Sequence, residues 1–238
     1  MDYHVFKSAL NKYLLRQVGG DKRPTFFNVN EICPSLAAIT QNFPVIKQEF
    51  QRAYENQPNM PLYHEIDPGE AEISNSTTKS WKVFMLYLLG HKPEANRTFC
   101  PETCRLLDNI PNLIQAFFSV LEPGKSIPLH EGPYLGYLRY HLGIQVPVEN
   151  PPTLLVNNQP YTWREGEGVL FDDSWPHAVT NQCKELRVVL ILDILRPMNT
   201  VPSLINKMMT GLLARYTYGR RVMNRLKGHQ VAEQPLIN

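Results

Sequence analysis

The spacing of hydrophobic positions changes twice along the chain. Leu36, Ile39, Phe43, Ile46 and Phe50 recur every three or four residues, the interval that lines one side of a helix. This predicts one amphipathic helix over 35–56. Asn59 to Pro68 reads as a Pro-containing loop, and the polar run from Asp67 to Lys79 as loop or sheet edge. Trp81 to Leu89 is aromatic and apolar, is closed by Gly90, and predicts a buried strand. A short helix is expected over Pro101 to Leu107, where proline suits the first turn because its missing N–H would have no partner there. From Gln115 to Arg196 the pattern becomes short β-type runs: Ala116–Leu121, Ser126–His130, Leu138–Val146, Thr153–Val156, Tyr161–Arg164, Val169–Asp172, His177–Asn181 and Arg187–Leu195. Turn residues separate them, including Glu122-Pro123-Gly124, Gly132-Pro133 and the hairpin pair Asn157-Asn158. Strands this short and this evenly spaced predict a mainly β fold with flanking helices, a sandwich or jelly roll. Helical spacing returns after Val201, with Leu204, Ile205, Met208, Met209, Leu212 and Leu213 on one face.

Three segments follow from this pattern. Residues 1–80 form a helical and irregular region expected to pack on the core. Residues 81–197 form the β domain. Residues 198–238 form a basic, amphipathic helical extension. The formal net charge of +2 gives no strong partner signal and no expectation of nucleic-acid binding. The distribution of charge says more. No Asp or Glu occurs from Ile194 to Ala232, a stretch that carries Arg196, Lys207, Arg215, Arg220, Arg221, Arg225 and Lys227. Two readings of the extension stay open: a helix lying on an anionic membrane through 201–227, or one packed on the jelly roll with its basic side in water. Cys33, Cys100, Cys104 and Cys183 are too few for a disulfide framework and read as free thiols. The start Met1-Asp2-Tyr3-His4 lacks the pattern of a secretory signal. The expected location is cytoplasmic, with peripheral contact at the inner membrane surface as the alternative.

Two histidines stand out because they fall at strand ends. His130 is followed by Glu131 and Gly132, and His177 lies 47 residues on, just past Asp172-Asp173. Non-haem iron sites use two histidines and one carboxylate with open positions beside them. A carboxylate two residues after the first histidine would share its side of a strand. Here that position is Gly132, and Glu131 should face away. On spacing alone, His130 and His177 could be ordinary core or loop histidines. Arg139 and His141 share one face of a strand, and Arg187 opens the apolar run Val188 to Leu192. A buried arginine needs an anionic partner. That partner could be Asp193 or Asp172, or the carboxylate of a ligand, which a guanidinium grips through two parallel bonds.

At these residues the chain resembles the aspartyl/asparaginyl β-hydroxylase family. The resemblance is carried by Phe118 to Gly124, His130-Glu131-Gly132-Pro133, Leu138 to Gly143, Phe171 to His177, and Arg187 to Pro197. It implies a cupin-like double-stranded β-helix and an Fe(II)- and 2-oxoglutarate-dependent dioxygenase that uses O2 to hydroxylate its substrate. It implies His130 and His177 as iron ligands, and Asp173 as a residue holding a water where other members place a carboxylate. Arg187, assisted by Ser119, would bind the distal carboxylate of 2-oxoglutarate, with Arg139 and His141 contacting the cosubstrate near the metal. The implied substrate is an Asp or Asn side chain of a peptide or small molecule. A lipid A acyl-chain hydroxylase is the alternative, because Cys100-Pro101-Glu102-Thr103 and the Arg139–Gly143 run resemble those enzymes. Gly132 departs from their pattern. A non-catalytic cupin-like binding module is the alternative of another class.

Overall fold

The computed structural model describes residues 3–232. Ten strands form two antiparallel sheets: β1 (Phe26–Phe27), β2 (Trp81–Leu88), β3 (Leu113–Leu121), β4 (Ile127–His130), β5 (Tyr137–Gln145), β6 (Thr153–Val156), β7 (Gln159–Thr162), β8 (Gly168–Phe171), β9 (His177–Thr180) and β10 (Arg187–Leu195). The larger sheet has the order β1-β8-β5-β10-β3-β2, and the smaller β4-β9-β6-β7. The two face each other as a jelly roll, the fold class expected from the short, evenly spaced runs.

Alternation along β3, β5 and β10 of the larger sheet divides their residues between two cores. Phe118, Val120, Leu138, Tyr140, Leu142, Val188, Leu190 and Leu192 point outward, onto Leu36, Ile39, Ile46 and Phe50 of the N-terminal helices. Their odd-numbered neighbours Phe117, Leu121, Val189 and Ile191 point inward, onto Ile127, Leu154, Val156, Trp163 and Val179. Because successive strand residues face opposite sides, Ser119, Arg139, His141, Arg187 and Asp193 all share the inner face. A one-residue slip in register would exchange these polar groups for leucines and valines. The register is set by pairs such as Ser119 opposite Val189, and His141 opposite Ile191.

The flanking segments differ from the sequence expectation in four places. The helix expected over 35–56 is two, Leu36–Gln41 and Phe43–Asn56. Asn42 breaks them apart by turning its side-chain amide back to the Ala38 carbonyl at 2.8 Å, and Pro44 then sits in the first turn of the second helix. The expected loop over 59–79 contains helical turns, Tyr63–Ile66, Pro68–Glu70 and Ala71–Ser74. The side chains of Glu65 and Asp67 hold backbone N–H groups at their starts. Strand β1 was not expected; it adds an edge to β8.

The fourth difference concerns the C-terminal extension, Thr200–Met208, Met209–Gly219 and Arg220–Ala232. It packs on the domain, but not through the apolar face. Asn206 and Thr210 are buried, whereas Leu204, Met208, Leu212 and Leu213 are exposed. Hydrogen bonds explain the choice: the Asn206 amide donates to the Gly136 carbonyl and accepts from the Tyr134 hydroxyl.

Two further details agree with the residue patterns. Asn157 and Asn158 both have positive φ, 47° and 62°, the conformation a tight hairpin requires. Buried Glu49 accepts from the backbone N–H groups of Glu102 and Thr103. It thereby satisfies the start of the Pro101–Asp108 helix, where donors are otherwise unpaired.

Candidate active site

His130 ends β4 and His177 begins β9, and the two residues face each other across the ladder. Their ring centroids lie 4.1 Å apart. Each ring is fixed by its own chain: Nδ1 of His130 meets the Pro128 carbonyl at 2.8 Å, and Nδ1 of His177 meets the Trp175 carbonyl at 2.9 Å. A carbonyl only accepts, so Nδ1 must carry the proton in both. With the proton on Nδ1, each Nε2 keeps its lone pair. Burial lowers both pKa values to about 4, so the imidazoles are neutral at physiological pH. Neutral imidazole with Nδ1–H tied to a carbonyl is the state in which histidine binds metals.

Beside the pair lies the carboxylate of Asp173. A Cβ built on Gly132 would meet the Asp173 Cγ and Oδ1 at 2.6 Å and Oδ2 at 2.7 Å. The backbone N–H of Gly132 also donates to the Asp173 carbonyl at 2.8 Å. The space where a side chain at 132 would begin is thus filled from the neighbouring loop. Asp173 Oδ2 accepts from the Tyr137 hydroxyl at 3.0 Å and lies 3.1 Å from Arg139, whereas Oδ1 is buried without a partner. Burial pushes the Asp173 carboxyl up, against the pull of Arg139. Among the described residues no three His, Cys, Asp or Glu side chains converge as a complete metal cage. A metal here would rest on two protein ligands, and the orphaned Oδ1 suits a group donating to it, such as a bound water.

Arg139 faces inward as alternation requires, but carboxylates already hold it. Its Nε and Nη2 donate to the two oxygens of Asp193, each at 2.8 Å. Gln115 donates to Asp193 from the other side. The geometry makes Arg139 a holder of Asp173 as much as a contact for a ligand.

Arg187 is the opposite case. It is 1% exposed, and among the described residues it forms no ion pair. Both intramolecular alternatives are taken: Asp193 by Arg139, and Asp172 by Arg23 and Arg196. Arg187 has only a long 3.4 Å bond to the Ser119 hydroxyl and the Trp163 ring 4.7 Å away, and its Nε is unpaired. Burial lowers its pKa to about 9, so it is still charged at neutral pH. Ser119 also accepts from Trp81 Nε1 at 2.9 Å. His141 stacks on Trp163 and meets Phe171 edge-on, and both its nitrogens are buried and unpaired. Trp163 Nε1 is unpaired too. Buried polar atoms normally find partners. The unpaired donors of Arg187, His141 and Trp163 lie between the same two sheets and would suit a polar, anionic ligand. The donors fit a dicarboxylate together with a metal ion.

The sequence reading missed Tyr137, Gln115 and Trp163, and it offered Asp193 to Arg187 where Arg139 takes it. Tyr137 and Gln115 share the inner-face parity of Arg139, Arg187 and Ser119, and that parity could have found them. Trp163 lies just after β7 and carries no such signal.

Fold and site together define a jelly roll with a two-histidine centre backed by an unpaired arginine. The model of the aspartyl/asparaginyl beta-hydroxylase family matches residues 40–197, and the chain belongs to that family. Among its relatives is the ornithine lipid ester-linked acyl 2-hydroxylase of Rhizobium tropici, 37% identical over 174 residues, covering 73% of this chain and 61% of that protein. Aspartate beta-hydroxylase domain-containing protein 2 of Homo sapiens is 33% identical, covering 68% of this chain and 44% of that one. Aspartyl/asparaginyl beta-hydroxylase of Homo sapiens is 33% identical, covering 49% and 16%. This chain thus spans less than two thirds of the length of each of these relatives. Similar solved structures include a Cupin_2 domain of an XRE family transcriptional regulator from Enterobacter cloacae, with TM-score 0.34 and 14% identity over 49% of this chain and 98% of that one.

Proposed function

We propose that this hydroxylase is an Fe(II)- and 2-oxoglutarate-dependent dioxygenase whose substrate is the acyl chain of a lipid. The observation that carries the cofactor reading is the pairing of two adjacent, neutral imidazoles, each anchored through Nδ1, with a buried guanidinium that lacks an anion among the described residues. When bound, iron and 2-oxoglutarate supply the oxidising power, with O2 consumed, the cosubstrate decarboxylated to succinate and a substrate C–H converted to C–OH. His130 and His177 hold the iron through Nε2. Tyr137 and Arg139 fix Asp173, which holds a water through Oδ1. Arg187 and Ser119 bind the distal carboxylate of the diacid, with His141 donating to it nearer the metal. Phe171 and Trp163 keep bulk water away, which strengthens the electrostatic grip of these groups.

The relatives' names unify the substrate chemistry. Position 2 of an acyl chain and the β-carbon of an aspartyl residue are both methylenes next to a carbonyl carbon. The acyl-chain reading is favoured by the rhizobial relative, which matches more of this chain at higher identity. The human relative at 33% supports a second reading, an Asp or Asn side chain of a peptide. Succinate release with Fe(II) and 2-oxoglutarate, screened against ester-linked acyl lipids and Asp/Asn peptides, decides between them. Lipid-stimulated turnover that His177→Ala abolishes is the expected result. Stimulation by peptide alone would move the substrate to the second reading. Turnover unchanged in His177→Ala would remove the histidine pair from the reaction, and no binding of metal or diacid would leave only a non-catalytic module.

A further inference from the structure

The C-terminal extension turns its large apolar residues to solvent. Val201, Leu204, Met208, Leu212 and Tyr216 are 64, 59, 55, 58 and 63% exposed. From Leu204 onward they recur every fourth residue. The buried side recurs at the same interval, through Pro202, Asn206, Thr210, Val222 and Leu226, with Ala214 and Tyr218 half-buried between them. An ordinary helix winds 3.6 residues per turn, so a four-residue repeat drifts around it. The middle stretch, Met209–Gly219, is wound more widely, as a π-helix. Wider turns drift the other way, and both stripes stay straight along the axis.

The inner stripe is not merely in contact with the domain. Asn206 is bonded to Gly136 and Tyr134, and a Cβ at Gly136 would overlap the Asn206 Oδ1. These residues belong to the loop that runs from His130 to β5. The His91 ring bonds the Arg215 carbonyl at 3.1 Å, which secures the wide-wound stretch. The apolar stripe is therefore rigidly presented, on the far side of the helix from that loop.

Charge identifies what covers the stripe. No carboxylate side chain occurs from Ile194 to Ala232, and Lys207, Arg220, Arg221, Arg225 and Lys227 are all exposed. In a two-fold pair of this chain the stripe would meet itself, and these uncompensated cations would be brought together. A negatively charged bilayer would accept both features at once, with leucines entering the acyl boundary and basic groups at the phosphates. No helix among the described residues is long and apolar enough to cross a membrane, so the contact is peripheral. We infer that Val201–Tyr216 is a docking face for an anionic lipid bilayer. The inference stands on this surface alone and not on the proposed chemistry.

The test is co-sedimentation of the full chain with vesicles of phosphatidylglycerol and phosphatidylcholine, beside vesicles of phosphatidylcholine only. Binding to the anionic vesicles that weakens with salt is expected. Leu204→Asp with Leu212→Asp should weaken it at least about tenfold, because apolar area no longer leaves water. Arg220→Gln with Arg221→Gln should weaken it about 30-fold, at roughly fivefold in affinity per charge near the surface. All four residues are exposed, and unchanged melting temperatures would show that the variants are folded. Protein remaining in the supernatant with anionic vesicles overturns the inference. So does equal, salt-insensitive binding to both vesicle types. A dimer in sedimentation equilibrium that the Leu204→Asp/Leu212→Asp variant dissociates would instead assign the stripe to a second copy, and would also overturn it.

Discussion

Replacing Arg187 by Met should stabilise the ligand-free protein while abolishing its response to 2-oxoglutarate. The guanidinium is buried with no carboxylate beside it, and its pKa is depressed from 12.5 to about 9. At about 1.4 kcal/mol per pKa unit, holding the charged form in this site costs on the order of 5 kcal/mol. The Trp163 ring at 4.7 Å offsets about 2 kcal/mol. The long bond to Ser119 offsets about 1 kcal/mol at most. A net gain of roughly 2 kcal/mol on substitution corresponds to about 4–8 °C in melting temperature for a chain of this size. The sign of the pH dependence follows from the depressed pKa. The unfolded chain binds the extra proton between pH 9 and 12.5, so stability rises with pH across that window, and the whole penalty is present at neutral pH. The assay is calorimetry of parent and variant at neutral pH, alone and with Fe(II) and 2-oxoglutarate. The parent should melt lower when empty and rise with the diacid, as any ligand that binds only the folded state requires. The variant should melt higher when empty and show no diacid-dependent rise. An empty variant less stable than the parent, or one that still responds to the diacid, would refute the reasoning.

Two other perturbations probe the histidine side of the site. Both imidazoles have pKa values lowered by burial to about 4, so the unfolded chain binds more protons between pH 4 and 6.5. Their contribution to stability should therefore fall as pH drops through that window, while buried Glu70, raised to about 7, slopes the other way between pH 4.5 and 7; urea titrations of the parent and of His177→Ala at several pH values that show no difference in slope would contradict the neutral assignment. Gly132→Asp, which would create a His-x-Asp sequence, should lower stability by about 2–3 kcal/mol, because its Cβ would overlap the Asp173 carboxylate. Pairing it with Asp173→Gly should recover most of that loss in thermal melts, and a single Gly132→Asp variant as stable as the parent would show that the two positions do not compete for one space.

How much of this was legible beforehand depends on whether a signal is local or distant. Period-two alternation puts Ser119, Arg139, His141 and Arg187 on one sheet face, and the fold needed only the right strands to bring them together. The same parity rule does not say which carboxylate goes to which arginine. Asp193 and Asp172 are both within 15 residues of Arg187 in sequence, yet Arg139 takes one and Arg23 with Arg196 takes the other. Those choices depend on strand order, which no single run of residues records. The break at Asn42 was hidden because apolar spacing continues across it, from Ile39 to Phe43. The extension stayed open between two readings for the reverse reason. Its apolar stripe is real, but Asn206 sets the orientation, through bonds to a loop about 70 residues earlier.

Asp172 has a consequence for where this protein can be cut. One of its two cations, Arg23, lies outside the family's shared span of 40–197, and the other, Arg196, lies at its last residues. Arg23 also reaches Ser174 and lies 3.6 Å from the centre of the Trp175 ring, while the Thr25 carbonyl takes the Asp172 amide. The turn that delivers Asp173 and His177 is thus braced by a segment the rest of the family need not share. A fragment trimmed to the common region would keep every residue assigned to chemistry and lose the brace that aims two of them.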